Sequence, residues 1–314
     1  MFETFKLRKV EQGSIEGYHW KLENPKKVVC IIHGIGEHGG RYDRVATRFN
    51  EAGFAVLAMD LRGHGKSLGK QGECAPRADV LDDVSALITC AQLMYPGVPL
   101  ILYGHSMGGN IALDYRSRGG MNDVPAAYLI SAPWIRLVHP IPEPAYWGVR
   151  VLSKIMPRFT VGSAVDESAL GNPESVKPYT EDPLVHNRIS ALCAVDGFEV
   201  GRKLARGKLE DNGRAAKIPT MLMHGGDDQI CDPQATRHLA ARLNKLGHMV
   251  KHIEWQGLFH EIHNGGGEST GDEVIDRMIE FIQSIGEKTE ATETAEASGE
   301  TEKTVEAEVS ETTD

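Results

Sequence analysis

Six short apolar runs, at residues 28–32, 54–59, 100–103, 126–130, 220–223 and 249–255, recur along the chain with helix-forming stretches between them. This alternation constrains the fold more than any other feature. Runs of that length, rich in branched side chains, read as strands, several of them buried on both faces. Between them, residues 79–94 begin with acids and set Val80, Val84, Leu87, Ile88 and Ala91 on one helical face. Residues 233–246 repeat the pattern, with Asp232 placed as N-cap, Pro233 at the first helical position and Gly247 just past the end. Strands joined by helices imply a mostly parallel sheet flanked by helices on both faces.

A length of 314 residues suits one large α/β domain or two ordinary ones and excludes a small module held together by disulfides or metal. The net charge of -10 is unevenly spread. Residues 286–314 carry nine Glu and one Asp against two Lys, a net of -8, which leaves -2 for residues 1–285. The near-neutral body has no basic footprint for nucleic acid. Five cysteines, odd in number and without a Cys-x-x-Cys pair, suit a reduced cytoplasmic compartment. No apolar run approaches the roughly 18–20 residues that span a bilayer, and the N-terminus lacks the apolar core of an export signal.

The alternation fails at residues 133–203, where eight of the 15 prolines fall. That density predicts an insertion of short segments rather than long helices. Residues 145–156 nevertheless have helical spacing, with Ala145, Val149, Leu152 and Met156 on one apolar face. The face either packs on the core or roofs an apolar ligand, and Trp134, Trp147 and Leu152 are the candidate ligand contacts. The expected organisation is a core of residues 1–132 and 204–285, a cap or lid of 133–203, and a tail of 286–314. The tail's only large apolar residues are Val305 and Val309, too few to offset the entropy of ordering, so it is expected to be disordered.

Residues 100–113 read LILYGHSMGGNIAL, an apolar strand that meets a helix at Gly104-His105-Ser106-Met107-Gly108. Small residues two before and two after a serine let a strained strand-to-helix turn close and expose the hydroxyl as a nucleophile. A serine hydroxyl needs a base, and the base needs an orienting acid. In this architecture acid and base follow in that order, on loops after later strands. Residues 220–223 lead into His224-Gly225-Gly226-Asp227-Asp228, with Asp232 beyond; residues 249–255 are followed by His260-Glu261-Ile262-His263. The two histidines are one residue short of the helical zinc spacing, so no metal or other cofactor is expected.

HGIGEHGGRY (33–42), DLRGHGKS (60–67), GHSMGG around Ser106, DPLV (182–185), HGGDDQICDP and FHEIHN together resemble the monoacylglycerol lipases of the α/β-hydrolase superfamily. The resemblance implies an α/β-hydrolase fold with a helical cap. It assigns the nucleophile to Ser106, the acid to Asp228 and the base to His260, leaving Asp227 as a turn residue and Asp232 as a helix cap. The backbone N–H of Met107 supplies one oxyanion donor, as expected of the residue after the nucleophile, and the resemblance assigns the second to Ile35. His33 and Glu37 are expected to hold that loop, and Asp60, Arg62 and His64 a neighbouring one.

The implied activity is hydrolysis of monoacylglycerol to fatty acid and glycerol through an acyl-enzyme. The rivals are a lysophospholipase, a general carboxylesterase and, from another class, a non-catalytic binding protein of the same fold, which would lack a triad member or an oxyanion loop. A dehalogenase would need an aspartate where Ser106 stands. The expected partner is a small lipid ester. Peripheral membrane contact through the cap is a further expectation, since Arg136, Arg150, Lys154 and Arg158 lie among Trp134 and Trp147.

Overall fold

A computed structural model describes residues 1–163, 165–172, 174–175, 181–209 and 215–286; apart from Gly286, the acidic tail lies outside the described residues. Along the chain the elements are β1 (Glu3–Val10), β2 (Gly13–Trp20), β3 (Lys27–Ile32), α1 (Asp43–Glu51), β4 (Phe54–Met59), α2 (Arg77–Met94), β5 (Leu100–His105), α3 (Met107–Arg118), β6 (Ala127–Ser131), α4 (Glu143–Ile155), β7 (Thr160–Gly162), β8 (Arg188–Ser190), α5 (Ala191–Arg206), β9 (Thr220–Gly225), α6 (Pro233–Lys245), β10 (Val250–Trp255) and α7 (Asp272–Gln283).

Eight strands form one sheet in the order β1-β2-β4-β3-β5-β6-β9-β10. β1 and β2 are antiparallel to each other, β2 is antiparallel to β4, and the remaining neighbours are parallel. Every residue of β4, β5, β6 and β9 is buried, which is why these segments read as continuous apolar runs. One apolar layer joins the sheet to α2, α3, α5 and α6, and the other joins it to α1 and α7. Each fully buried large aliphatic or aromatic side chain contributes roughly 1.5–3 kcal/mol, so these layers, rather than helix propensity, hold the helices in place.

The insertion departs from the expectation of short segments. Its α5 is 16 residues long and crosses the expected boundary at 203/204. All eight prolines of the stretch lie at or before Pro183, so nothing interrupts the chain from Leu184 to Arg206. Ser190 caps this helix by accepting from the Cys193 N–H, and Gly207, at φ 66°, ends it. Short β7 and β8 pair antiparallel beside α4 and α5. Asp232 caps α6 as expected, accepting from the Gln234 N–H at 2.9 Å.

β5 lies at the middle of the sheet and delivers α3 onto β3 at close range. A Cβ on Gly108 would strike the backbone carbonyls of Ile32 and His33, and one on Gly104 would strike the carbonyl of Gly108. Gly to Ala at an open helical position stabilises by up to about 1 kcal/mol. Gly108→Ala should instead destabilise by about 1–3 kcal/mol, because the added methyl meets backbone that has nowhere to move. Urea midpoints of the two proteins read the sign directly.

Candidate active site

β5 ends at His105, and the chain turns into α3 through Ser106, whose backbone sits at φ 54° and ψ -114°. A side chain in that region costs roughly 1–3 kcal/mol, and it persists only where the surroundings over-determine it. Here the Ser106 N–H donates to Ser131 O at 3.0 Å, and Ser106 O accepts from Asn110 N and Trp134 N, each at 3.0 Å. The turn presents the Ser106 hydroxyl above the carboxyl end of the parallel strands.

His260, on the loop after β10, meets Ser106 with Nε2 to Oγ at 2.8 Å, and its Nδ1 lies 2.7 Å from Asp228 Oδ2. Asp228, on the loop after β9, receives the Ile230 and Cys231 N–H groups on Oδ1 at 2.7 and 2.9 Å. Ser106, Asp228 and His260 are all buried. Burial drives the Asp228 carboxyl toward protonation, but the charge and hydrogen bond of His260 and the hydrogen bond from His224 outweigh it and hold the group well below the carboxylate range. For His260, burial favours the neutral ring, yet Asp228, followed by Glu261 and Glu37, pushes its pKa above 6.5.

His263 is not part of this line. Its Nδ1 lies 3.3 Å from Tyr103 Oη, its ring stacks on Tyr42, and burial pushes its pKa down to about 4. Asp227 lies in the turn and its N–H donates to Leu258 O.

The loop after β3 faces the same hydroxyl. His33 accepts from Leu61 N on Nε2 at 2.9 Å, so its Nδ1–H donates to Gly34 O at 2.6 Å. Glu37 Oε1 accepts from Gly34 N and, at 2.9 Å, from the Tyr42 hydroxyl. A Cβ on Gly34 would lie 3.1 Å from Ser106 Cβ, so glycine lets this backbone close on the serine. Met107 opens α3, where an N–H has no partner within the helix. Asp60 accepts from Gly39 N and Lys66 N at 2.8 Å each, tying this loop to the next. Arg62 is drawn to Asp83 at 2.7 Å, and His64 lies against His186.

Two cavities meet at Ser106. The larger, about 390 Å³, runs between Trp134, Leu152 and Phe198 and is overwhelmingly apolar. The smaller is bordered by Gly34, Ile35, Glu37, His260 and Glu261. Burial and the neighbouring Glu261 raise the pKa of Glu37 to about 7. Trp147, expected among the ligand contacts, is not in the cavity wall: it is 53% exposed, with the Arg150 guanidinium 5.0 Å from its ring centroid. Helical geometry explains the correction. Val149 and Leu152, three apart, face inward, whereas Trp147, Val151 and Ile155 fall at four-residue intervals on the outer face. Met156 is likewise exposed.

The sequence reading passed over Glu261 as a site residue and over His224, whose Nε2 lies 3.0 Å from Asp228 Oδ2. A polar ring at the buried end of an apolar strand was the available signal.

The sequence profile of the family described as serine aminopeptidase, S33, matches residues 23–266. The chain is 32% identical over 266 residues to a monoacylglycerol lipase of Mycolicibacterium smegmatis, covering 83% of this chain and 89% of that protein. The chain belongs to the monoacylglycerol lipase family of α/β-hydrolases. It is also 30% identical over 260 residues to an uncharacterised abhydrolase domain-containing protein of Dictyostelium discoideum, which covers 82% of this chain but only 26% of that longer protein. The solved structure of a monoacylglycerol lipase from Paleococcus ferrophilus superposes with a TM-score of 0.74 at 30% identity, over 86% of this chain and 99% of that one. Members of this family are carboxylic ester hydrolases, and among the described residues no helix is long and apolar enough to cross a membrane.

The opposing influences on His260 give a test. By NMR the imidazole should titrate above pH 6.5 in the wild type. In Asp228→Asn burial loses its main opponent and the pKa should fall; an unchanged value would show that the carboxylate does not set the ring's charge.

Proposed function

We propose that this enzyme hydrolyses monoacylglycerol to fatty acid and glycerol with Ser106 as nucleophile, His260 as base and Asp228 as orienting acid. The observation that carries the reading is the 2.8 Å approach of His260 Nε2 to the Ser106 hydroxyl at the mouth of an apolar cavity of about 390 Å³. As Ser106 Oγ attacks the ester carbonyl, His260 takes its proton, and Asp228 holds the tautomer and stabilises the imidazolium. The N–H groups of Met107 and Ile35 receive the oxyanion, each such donor being worth roughly 10²–10³ in rate. Collapse of the tetrahedral species breaks the ester C–O bond, and His260 returns the proton to the departing glycerol oxygen. Water activated by His260 then attacks the acyl-enzyme and releases the fatty acid.

The two cavities divide the substrate. The acyl chain occupies the apolar space beneath the cap, against Trp134 and Leu152, gaining about 0.8 kcal/mol per buried methylene. The alcohol lies at the mouth of the small cavity, whose roughly 20 Å³ beside Glu37 and Glu261 admits a group about the size of one hydroxyl. Glu37 and Glu261 there are both paired with Arg41, at 3.8 Å each, so the site offers no surplus positive charge to an anionic phosphate head group and ranks monoacylglycerol above a lysophospholipid. Peripheral contact with a lipid surface is assigned to the outer row Trp147, Val151 and Ile155, flanked by Arg150 and Lys154, where substrate would be collected.

Turnover of monoacylglycerol should exceed that of lysophospholipids and of short aryl esters, and Ser106→Ala should abolish all three. Retained turnover in that variant would overturn the assignment, and a preference for lysophospholipid would overturn the head-group argument. In liposome co-sedimentation, Trp147→Glu should bind less than wild type; equal binding would count against this outer row.

A further inference from the structure

We infer that His224 is a positioning residue for this reaction, which with Thr236 behind it fixes the carboxylate that orients His260. The inference rests on the proposed roles of Ser106, His260 and Asp228. His224 is the next-to-last residue of β9, and its ring is fully buried between the Asp228 turn and the inner face of α6. Nε2 lies 3.0 Å from Asp228 Oδ2 and 3.1 Å from Cys231 O, while Nδ1 lies 2.8 Å from Thr236 Oγ1.

The tautomer follows from these partners. A neutral imidazole has one N–H and one lone pair. Nε2 faces two oxygens that only accept, a carboxylate and a carbonyl, so the proton resides there. Nδ1 then presents its lone pair, and the Thr236 hydroxyl donates to it. The opposite tautomer would set a nitrogen lone pair against both oxygens in a fully buried site. His105 and His252, whose fields also reach this ring, are pushed toward neutral by burial.

The result is a buried line from Thr236 through His224, Asp228 and His260 to Ser106. The Asp228 carboxylate accepts four N–H groups, from Ile230 and Cys231 on Oδ1 and from His224 and His260 on Oδ2. Four donors occupy all its lone-pair directions and stop it from rocking. His224 also shares Oδ2 with His260, which tempers how strongly that oxygen holds the imidazolium. Without His224 the carboxylate has one donor fewer, Oδ2 becomes more basic, and the His260 proton is held more tightly.

The test is the pH profile of kcat/KM with a short aryl ester, for the wild type, His224→Leu, His224→Gln and Thr236→Val. In His224→Leu the acid limb should move up by about half a pH unit or more and kcat should fall about tenfold, with KM changed less than about twofold. His224→Gln, whose side-chain amide can still donate to Oδ2, should restore most of both. Thr236→Val, close in volume, should move the limb the same way by a smaller amount. A residue with a purely structural role would lower Tm without shifting the limb. An acid limb and kcat matching wild type in folded His224→Leu would overturn the inference, as would His224→Gln as impaired as His224→Leu. Should His224→Leu fail to fold, an unshifted limb in Thr236→Val overturns it. Ser106→Ala separates the two levels: if it retains turnover the proposed function itself falls, whereas if it is inactive and the profiles coincide only the role of His224 falls.

Discussion

The arrangement depends on one unfavourable backbone conformation, that of Ser106 at φ 54°. A side chain held there is costly in isolation, and it is tolerated because the chain on both sides has no freedom to relax. Gly104 and Gly108 remove the two Cβ atoms that would clash, α3 rests on the carbonyls that end β3, and the Ser106 carbonyl is tied to Asn110 and Trp134. The energy that keeps the turn shut comes from the buried sheet beneath it. The fold therefore places a hydroxyl, with little freedom to move, at the edge where the loops after β3, β9 and β10 converge.

Electrostatics then select among the groups that reach this edge. The His105 ring lies 4.9 Å from that of His260 and 5.0 Å from that of His263, and burial drives all three toward neutral. Only for His260 is that tendency overcome, because Asp228 is bonded to it directly. Asp228 stays ionised in a buried site because the charge and hydrogen bond of His260 and the hydrogen bond from His224 outweigh burial, so one carboxylate sets the His260 ring apart from its two neighbours.

Much of this was legible in the sequence, for local reasons. The strand, small-residue turn and helix around Ser106 leave a mark because the backbone strain dictates residue types at fixed offsets. Asp232 and Pro233 announce α6 because an N-cap and its first turn are local chemistry. Features that depend on distant partners were not legible. The β1–β2 hairpin carries little apolar signal, since β1 is an exposed edge paired only with β2. The length of α5 was obscured by prolines that precede it. Trp147 could be placed on a helix by spacing, but which side of that helix met the cavity depended on how α4 lies against α5 and on the position of Trp134. Of the four donors around Asp228, those of His224, Ile230 and Cys231 lie within four residues of it, and only His260, 32 residues on, depends on the fold to arrive.

The most direct test of the central claim, that this strained turn delivers an activated nucleophile, is covalent labelling with a fluorophosphonate followed by peptide mapping. One equivalent of label on Ser106, formed in step with loss of ester hydrolysis and strongly slowed in His260→Ala, is the predicted result. Label on another residue, or full activity in protein fully labelled at Ser106, would contradict it.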